Sequence, residues 1–520
     1  MHYTLSADGH EVKITPRLND TLADVLKKAL SYTPAGSEWS PNHFNNQWRV
    51  VNGKRQFNPK ARWDGSVSLF KKNNRHLPNS FPYGLLETAL EALQKASPTD
   101  TFELVKLIPL HKPEDITLNN KKVVLKGQEI TIEVRDYQQQ TVEALLTRSH
   151  AMAEVATGGG KSIIIGELLS KFPSLRRLVT VPSKSLMHQT AADLEGMLGV
   201  PVGRWGDGKK DLQNVTVAII DSVARNIDKQ EIVDFLSGVE MWVCDESHLS
   251  AADKYKDVDK LLFNTSRRYG VSATLMREDN AELIFHGMFG PCVVKFPAAE
   301  LIKRGWLVKP RIQIHVVEHN FVHEGEKKKP SFDDVYATDI TYSMDRNTLI
   351  GELARRCKEE NMWPCLILVS DLAHGENLQD IISRYGKTAF LQGDTLQKVR
   401  NEVLNMVKNA ELPFLVASTI FDIGVDIPQL RSVILAGSGK SQSRAVQRVG
   451  RGLRHDHSSP VSALLGPKEE VLVIDFEDRE KYFLRDHSLL RRSYYNIAYP
   501  GCVTTWKNGV KLQDFGNALI

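Results

Sequence analysis

The sequence predicts an α/β chain of two tandem parallel-sheet domains, preceded by a small α+β domain and followed by a short helical element. Three observations carry this prediction. Through the middle of the chain, short β-branched apolar runs alternate with helical stretches, the pattern of βαβ units and a parallel sheet. The alternation occurs twice in succession, broken at 298–310 where a helix-like AELIKRG gives way to Trp306 and Pro310. Both flanks depart from it in pattern and in charge.

Taken in order, residues 1–112 show weaker alternation and Pro/Asn-rich breaks, which suits a small α+β domain. Between 45 and 76, eight basic residues (Arg49, Lys54, Arg55, Lys60, Arg62, Lys71, Lys72, Arg75) face the single acid Asp64. They are interleaved with Trp48, Phe57, Trp63 and Phe70. Cations meet phosphates, and rings offer stacking worth ~1–3 kcal/mol per base, so Arg49, Arg55, Lys60, Arg62 and Trp63 are candidate nucleic-acid contacts. The pattern leaves open that the rings are core; for Trp63, beside Asp64-Gly65, a turn-anchoring role fits as well. Residues 113–300 carry expected strands at 152–155, 177–181, 215–220, 240–244 and 268–271. Residues 301–480 carry them at 365–369, 388–391, 413–417, 432–436 and 471–474, with helices over 372–385, 396–409 and 441–450. Residues 320–334, with the run Glu324-Gly325-Glu326-Lys327-Lys328-Lys329-Pro330, read as a mobile loop. The remaining element, 481–520, is basic and helical, and its Arg491 and Arg492 are further candidate polyanion contacts.

Composition sets the bounds. At 520 residues, with 42% hydrophobic and 25% charged, the chain is neither disordered nor fibrous. Five scattered cysteines, the nearest pair eight residues apart, exclude a CxxC zinc site and a disulfide framework. No apolar run approaches the ~20 residues that span a bilayer, and a soluble cytoplasmic protein is expected. Net charge is only +4, so the distribution of charge says more than its sum.

Four motifs carry chemistry. Thr157-Gly158-Gly159-Gly160-Lys161-Ser162 follows an expected strand and opens a helix. Glycines let backbone N–H groups close on phosphate oxygens, Lys161 reaches the β- and γ-phosphates and Ser162 ligates Mg²⁺. Val155 stands where the full pattern wants glycine. Asp245-Glu246-Ser247-His248 ends an apolar strand, as Mg²⁺-bound ATP hydrolysis requires: Asp245 holds the ion's water shell and Glu246 polarises the attacking water. Gln447, Arg451 and Arg454, at spacings of four and three, share one face if 447–454 is helical. Arginines that cannot lose a proton suit transition-state charge. Finally, Ser418 to Pro428 follows a strand, where open α/β sheets bind ligands.

In order and spacing these elements resemble the motor motifs of superfamily 2 helicases across residues 130–480. That resemblance implies two RecA-like domains. It assigns adenine reading to Arg135 and Gln138, and strand contact to Pro182, Ser183 and Gln189. Coupling falls to His248, Ser272 and Thr274, and nucleotide sensing to Gly424 and Asp426. Phe57-Asn58-Pro59, Trp63-Asp64-Gly65, Leu77-Pro78 and Gly84-Leu85 resemble the N-terminal domain of UvsW-type phage helicases. This implies an ATP- and Mg²⁺-dependent monomeric enzyme that unwinds or branch-migrates branched or forked DNA in recombination, repair and replication. A restriction-system translocase, an RNA remodeller and a silent nucleic-acid-binding scaffold are the alternatives; intact Lys161, Asp245, Glu246, Arg451 and Arg454 weigh against the last.

Overall fold

The computed structural model describes residues 1–512 apart from 41, 44–47, 52–53, 58–61, 73–76, 126–127, 247–251, 275–281, 320–330, 419–426, 438, 440–441 and 480–482. At 48–51, 54–57, 124–125, 128, 252, 397 and 442–445 it describes the backbone alone. The chain forms two compact units, Met1–Val155 with Gly160–Lys295 and Ala156–Gly159 with Phe296–Ile520.

Among its described residues the first unit holds a four-stranded and an eight-stranded sheet, besides three two-stranded ladders. In the smaller, strands Asn79–Pro82, Glu11–Thr15, His2–Ala7 and Thr101–Lys106 lie in that order; only the last pair is parallel. Alternation in HYTLSA and EVKIT turns Tyr3, Leu5, Ala7, Val12 and Ile14 inward, against helices Asp20–Ala29 and Leu86–Ala96. Phe70, one of the interleaved rings, belongs to this core rather than to a stacking surface.

In the larger sheet the order is Lys209–Lys210, Val202–Gly206, Val215–Ile219, Arg177–Val181, Met241–Asp245, Arg267–Ser272, His150–Val155 and Cys292–Phe296. Its six central strands are parallel. These strands read as near-continuous apolar runs because helices cover both faces of such sheets.

The two sheets of this unit meet in a buried polar seam. Gly9 N–H donates to Phe263 O (2.8 Å), and His10 Nδ1 lies 2.8 Å from Asp259 Oδ2. Asp259 also pairs with buried Arg268, whose guanidinium sits over the Trp242 ring at 5.5 Å. His150 stacks on Tyr83 with centroids 4.2 Å apart, and burial, reinforced by Arg268, holds its pKa well below the usual histidine value.

Among its described residues the second unit holds one sheet, ordered Thr388–Leu391, Phe414–Ala417, Cys365–Leu368, Ser432–Leu435, Glu470–Arg479, Lys309–Glu318, Val503–Lys507 and Val510–Lys511. All neighbours are parallel except the last pair. Helices Met344–Glu359 and Leu372–Ile382 bury Ile350, Leu353, Ala354 and Leu378 against it.

All ten expected strands occur; most shift by a residue or two at their ends, and the strand expected at 471–474 extends to Glu470–Arg479. The two eight-stranded sheets hold six more strands that were not legible. Val202–Gly206 is interrupted by Gly203 and Gly206, and Lys309–Glu318 places Pro310, Arg311, Gln313 and His315 among its apolar residues. Of the expected loop, 320–330 lies outside the described residues, whereas Ser331 caps a helix, Phe332–Tyr336, by accepting from Asp334 N. The C-terminal segment supplies the expected helix, Leu484–Ala498, and then two strands that extend the second sheet. Among the described residues, no helix is long and apolar enough to cross a membrane.

Candidate functional site

Strand His150–Val155 ends at the glycine-rich turn and helix Lys161–Ser170 begins beyond it. Gly158 and Gly160 have φ of 86° and 73°, in the left-handed region that side chains disfavour. A Cβ on Gly160 would stand 2.4 Å from Gln138 Nε2, so the loop and Gln138 are fitted to each other. Gln138 is buried and its Oε1 accepts from Arg135 N–H (3.0 Å), while Arg135 Nη1 donates to Tyr137 OH (3.1 Å). The pair expected to read adenine is thereby locked to the start of helix Asp136–Leu146 and against the loop.

The parallel register delivers the acidic pair to the same edge of the sheet. Asp245 is the last residue of its strand, and Glu246, at φ 52°, donates its N–H to Val271 O (3.1 Å). A non-glycine residue in that region is strained, as is common at functional sites. Lys161 Nζ forms an ion pair with Glu246 Oε1, both side chains being largely withdrawn from solvent. Burial first, and then the Glu246 charge, push the Asp245 carboxyl up to about 7, against the pull of Lys161.

Asp245 Oδ1 is buried and accepts no hydrogen bond among the described residues. A buried carboxylate oxygen left in this condition costs free energy unless a cation completes it, so the donor set fits a divalent ion. Asp245, with the Ser162 hydroxyl at the first turn of the loop helix, are the residues that would hold Mg²⁺.

Ser272, fully buried at the end of Arg267–Ser272, donates to Thr274 O (2.7 Å), which shapes the turn after the strand. Ser183 caps helix Lys184–Leu198 by accepting from Leu186 N (3.4 Å); Pro182, Ser183 and Gln189 are half-buried.

Within the second unit the arginine motif differs from expectation. Helix Gln442–Gly450 stops at Gly450, so Arg451 and Arg454 lie in the turn beyond it and share no helical face with Gln447. Gly450 and Gly452, poor helix formers, stand at this end, and both are closely packed. A Cβ on Gly452 would stand 2.5 Å from Val471 Cγ2, and one on Gly450 would stand 2.6 Å from Thr157 Cβ, which belongs to this unit. Gln447 is buried, whereas Arg451 and Arg454 are half-buried.

Of the predicted nucleic-acid contacts, Arg62 is exposed. Trp63 is half-buried; its indole N–H donates to Ser66 O (2.6 Å) and its ring meets His43 edge-on, the turn-anchoring arrangement. Arg491 is a correction. It is 5% exposed and forks onto Asp475, with Nε and Nη2 at 2.8 and 3.1 Å from the two carboxylate oxygens, and so faces the core rather than a polyanion. Arg492 is half-buried and lies 3.4 Å from Glu477 Oε2. Lys60, His248, Gly424 and Asp426 lie outside the described residues, as do the side chains of Arg49 and Arg55. Asp475 itself was overlooked, although a carboxylate inside the apolar run VLVIDFE is a signal for a buried cationic partner.

Residues 131–277 match the family model described as "Type III restriction enzyme, res subunit", and residues 347–456 match "Helicase conserved C-terminal domain". The ATP-dependent DNA helicase uvsW of Enterobacteria phage T4 is 24% identical over 79% of this chain and 83% of its own length. The DNA 3'-5' translocase XPB2 of Sulfurisphaera tokodaii is 26% identical over 62% of this chain and 79% of its own. Among solved structures, the DNA-bound Type ISP restriction-modification enzyme LlaBIII shares the fold at 13% identity, covering 74% of this chain and 32% of that one, with a TM-score of 0.53. This chain spans from 51% to 83% of the length of the curated relatives it matches.

Proposed function

We propose that the chain is an ATP-driven DNA helicase of superfamily 2 that unwinds or branch-migrates branched DNA intermediates of recombination, repair and replication. The observation that carries the assignment of the ATP site is the Lys161–Glu246 ion pair beside two left-handed glycines. A lysine held on the glutamate is a resting arrangement. Arriving phosphate oxygens draw Lys161 to themselves, and Glu246 is then free to orient the attacking water and take its proton. Bound Mg²⁺ supplies electrophilic stabilisation of the phosphates. Asp245 and Ser162 would hold it and Arg135 and Gln138 would fix the base, while the motif resemblance gives Gln447, Arg451 and Arg454 the role of answering the charge of the transferring phosphoryl group. Thr157 to Gly160 cradle the phosphates through their N–H groups.

The branched substrate is supported by the basic, aromatic-rich 45–76 segment and by the similarity to uvsW over most of the chain. A second reading, the translocating subunit of a restriction system, is favoured by the family matched over 131–277. One experiment separates them. Phosphate release is measured with single-stranded, duplex, forked and four-way DNA and with RNA, alongside dissociation of a labelled four-way junction. The proposal expects forked and four-way DNA to stimulate most and the junction to be resolved into arms. Strongest stimulation by linear duplex without junction dissociation points to the restriction motor, and strongest stimulation by RNA overturns the DNA assignment. Lys161→Ala and Glu246→Gln are expected to abolish turnover while keeping forked-DNA binding; normal turnover in either refutes the site.

A further inference from the structure

The helix Leu484–Ala498 lies outside every motor motif, yet it grips the approach to the arginine turn. Arg491, Tyr495 and Tyr499 recur at four-residue spacing and form one stripe that is buried in the second unit. The stripe meets Asp475, which stands buried in strand Glu470–Arg479. Asp475 accepts from Arg491 Nε (2.8 Å) and Nη2 (3.1 Å), from Tyr495 OH (2.8 Å) and from Phe476 N–H (2.7 Å). Arg491 spends its remaining reach on two carbonyls: Nη2 donates to Phe476 O (2.9 Å) and Nη1 to Gly439 O (2.7 Å). Gly439 lies three residues before helix Gln442–Gly450. Farther along, Tyr499 OH donates to Val446 O (3.3 Å), adjacent to Gln447.

One carboxylate thus binds two side chains of the C-terminal helix, and that segment holds the helix leading into the arginine turn at Gly439, just before it, and at Val446, its middle residue. A planar guanidinium that bridges a carboxylate and two backbone carbonyls fixes direction as well as distance, which an ammonium cannot do. We propose that Arg491, Tyr495 and Asp475 are positioning residues for Gln447, Arg451 and Arg454, so that the C-terminal segment sets the rate of the chemical step without touching nucleotide. The proposal rests on the reading of Arg451 and Arg454 as transition-state groups.

The test uses the full chain with Arg491→Lys, which keeps the charge but not the fork, and Tyr495→Phe, which removes one hydroxyl. DNA-stimulated kcat, KM for ATP and forked-DNA affinity are measured for each, with thermal melting to show folding. Misplacement by about 1 Å costs on the order of 10²-fold in rate. Arg491→Lys is therefore expected to lower kcat by about 10- to 100-fold and Tyr495→Phe by a smaller factor, with KM and DNA affinity within about twofold of wild type. If Arg491→Lys does not fold, Tyr495→Phe decides alone. Unchanged kcat in a folded variant overturns the proposal, and so does lost DNA affinity at unchanged kcat, which would return Arg491 to a polyanion contact. Arg451→Ala runs in parallel: if that variant keeps full kcat, the arginine reading itself has failed, whatever the clasp variants do.

Discussion

Replacing Asp259 by Asn should release the N-terminal domain's hold on the first motor sheet. Asp259 is 3% exposed and lies between Arg268, 1% exposed, and His10 on the turn joining the first two strands. Burial pushes its carboxyl up, but Arg268 and His10 outweigh that and hold it below the ordinary range, which marks a charged, doubly partnered group. Removing the charge leaves the Arg268 guanidinium buried over the Trp242 ring with one carbonyl, Leu262 O at 2.6 Å, as its other hydrogen-bond partner among the described residues. Breaking a buried pair from one side costs about 3–5 kcal/mol, whereas replacing both members by apolar groups is often close to neutral. Urea denaturation of the ligand-free chain is expected to show Asp259→Asn losing about 3–5 kcal/mol from the transition of the first unit, with Asp259→Asn/Arg268→Met recovering much of it. A loss under about 1 kcal/mol, or a double variant as unstable as the sum of the two single ones, would refute the reasoning. The same seam governs how the N-terminal domain can be studied. Deleting 1–112 removes Gly9, His10 and Tyr83 from Phe263, Asp259 and His150, so the truncated motor is expected to lose stability as well as DNA affinity.

Other predictions are narrower. Gly160→Ala forces a side chain into φ 73° and onto Gln138 Nε2, so it should raise KM for ATP at least tenfold, at a conformational cost of about 1–2 kcal/mol, measured by steady-state hydrolysis. Charge reversal at Arg62, alone and with Arg55, should weaken forked-DNA binding and lower the slope of log affinity against log salt by about 0.9 for each lost phosphate contact; an unchanged slope would leave these cations as solubilising groups. Burial, then Arg346, lower the His374 pKa to about 3, so its neutral form belongs to the folded state. Its contribution is complete above the unfolded value near 6.5 and is lost as pH falls from there toward 3. Between pH 7 and 5 this amounts to about 2 kcal/mol, and the stability of His374→Asn should be flatter over that interval than wild type.

The sequence alone determined the two parallel sheets, the order of the motor motifs and the candidate residues of an ATP site. These rest on local physics: apolar runs of strand length, glycines where a backbone turns left-handed around phosphate, and a carboxylate pair at the end of an apolar strand. Lys161, Asp245 and Glu246 fall together because the strands before them, which flank Arg267–Ser272 on either side, run parallel and end at the same edge, a consequence of topology that the alternation already implies. Tertiary structure decided what charge and aromaticity do where pattern is silent. Arg491 and Arg492 look alike in the chain, yet a turn of about 100° between neighbouring helical residues sends the first onto buried Asp475 and leaves the second half-exposed beside Glu477. Phe70 and Trp63 share a basic neighbourhood with the candidate DNA contacts, but one fills the core and the other ties a turn. The end of the arginine helix was hidden for the same reason: Gly450 and Gly452 are glycines because Thr157 and Val471 occupy their side-chain space, and both neighbours lie far away along the chain. A side chain's partner is set by which distant segment packs against it, and that knowledge exists only once the chain has folded.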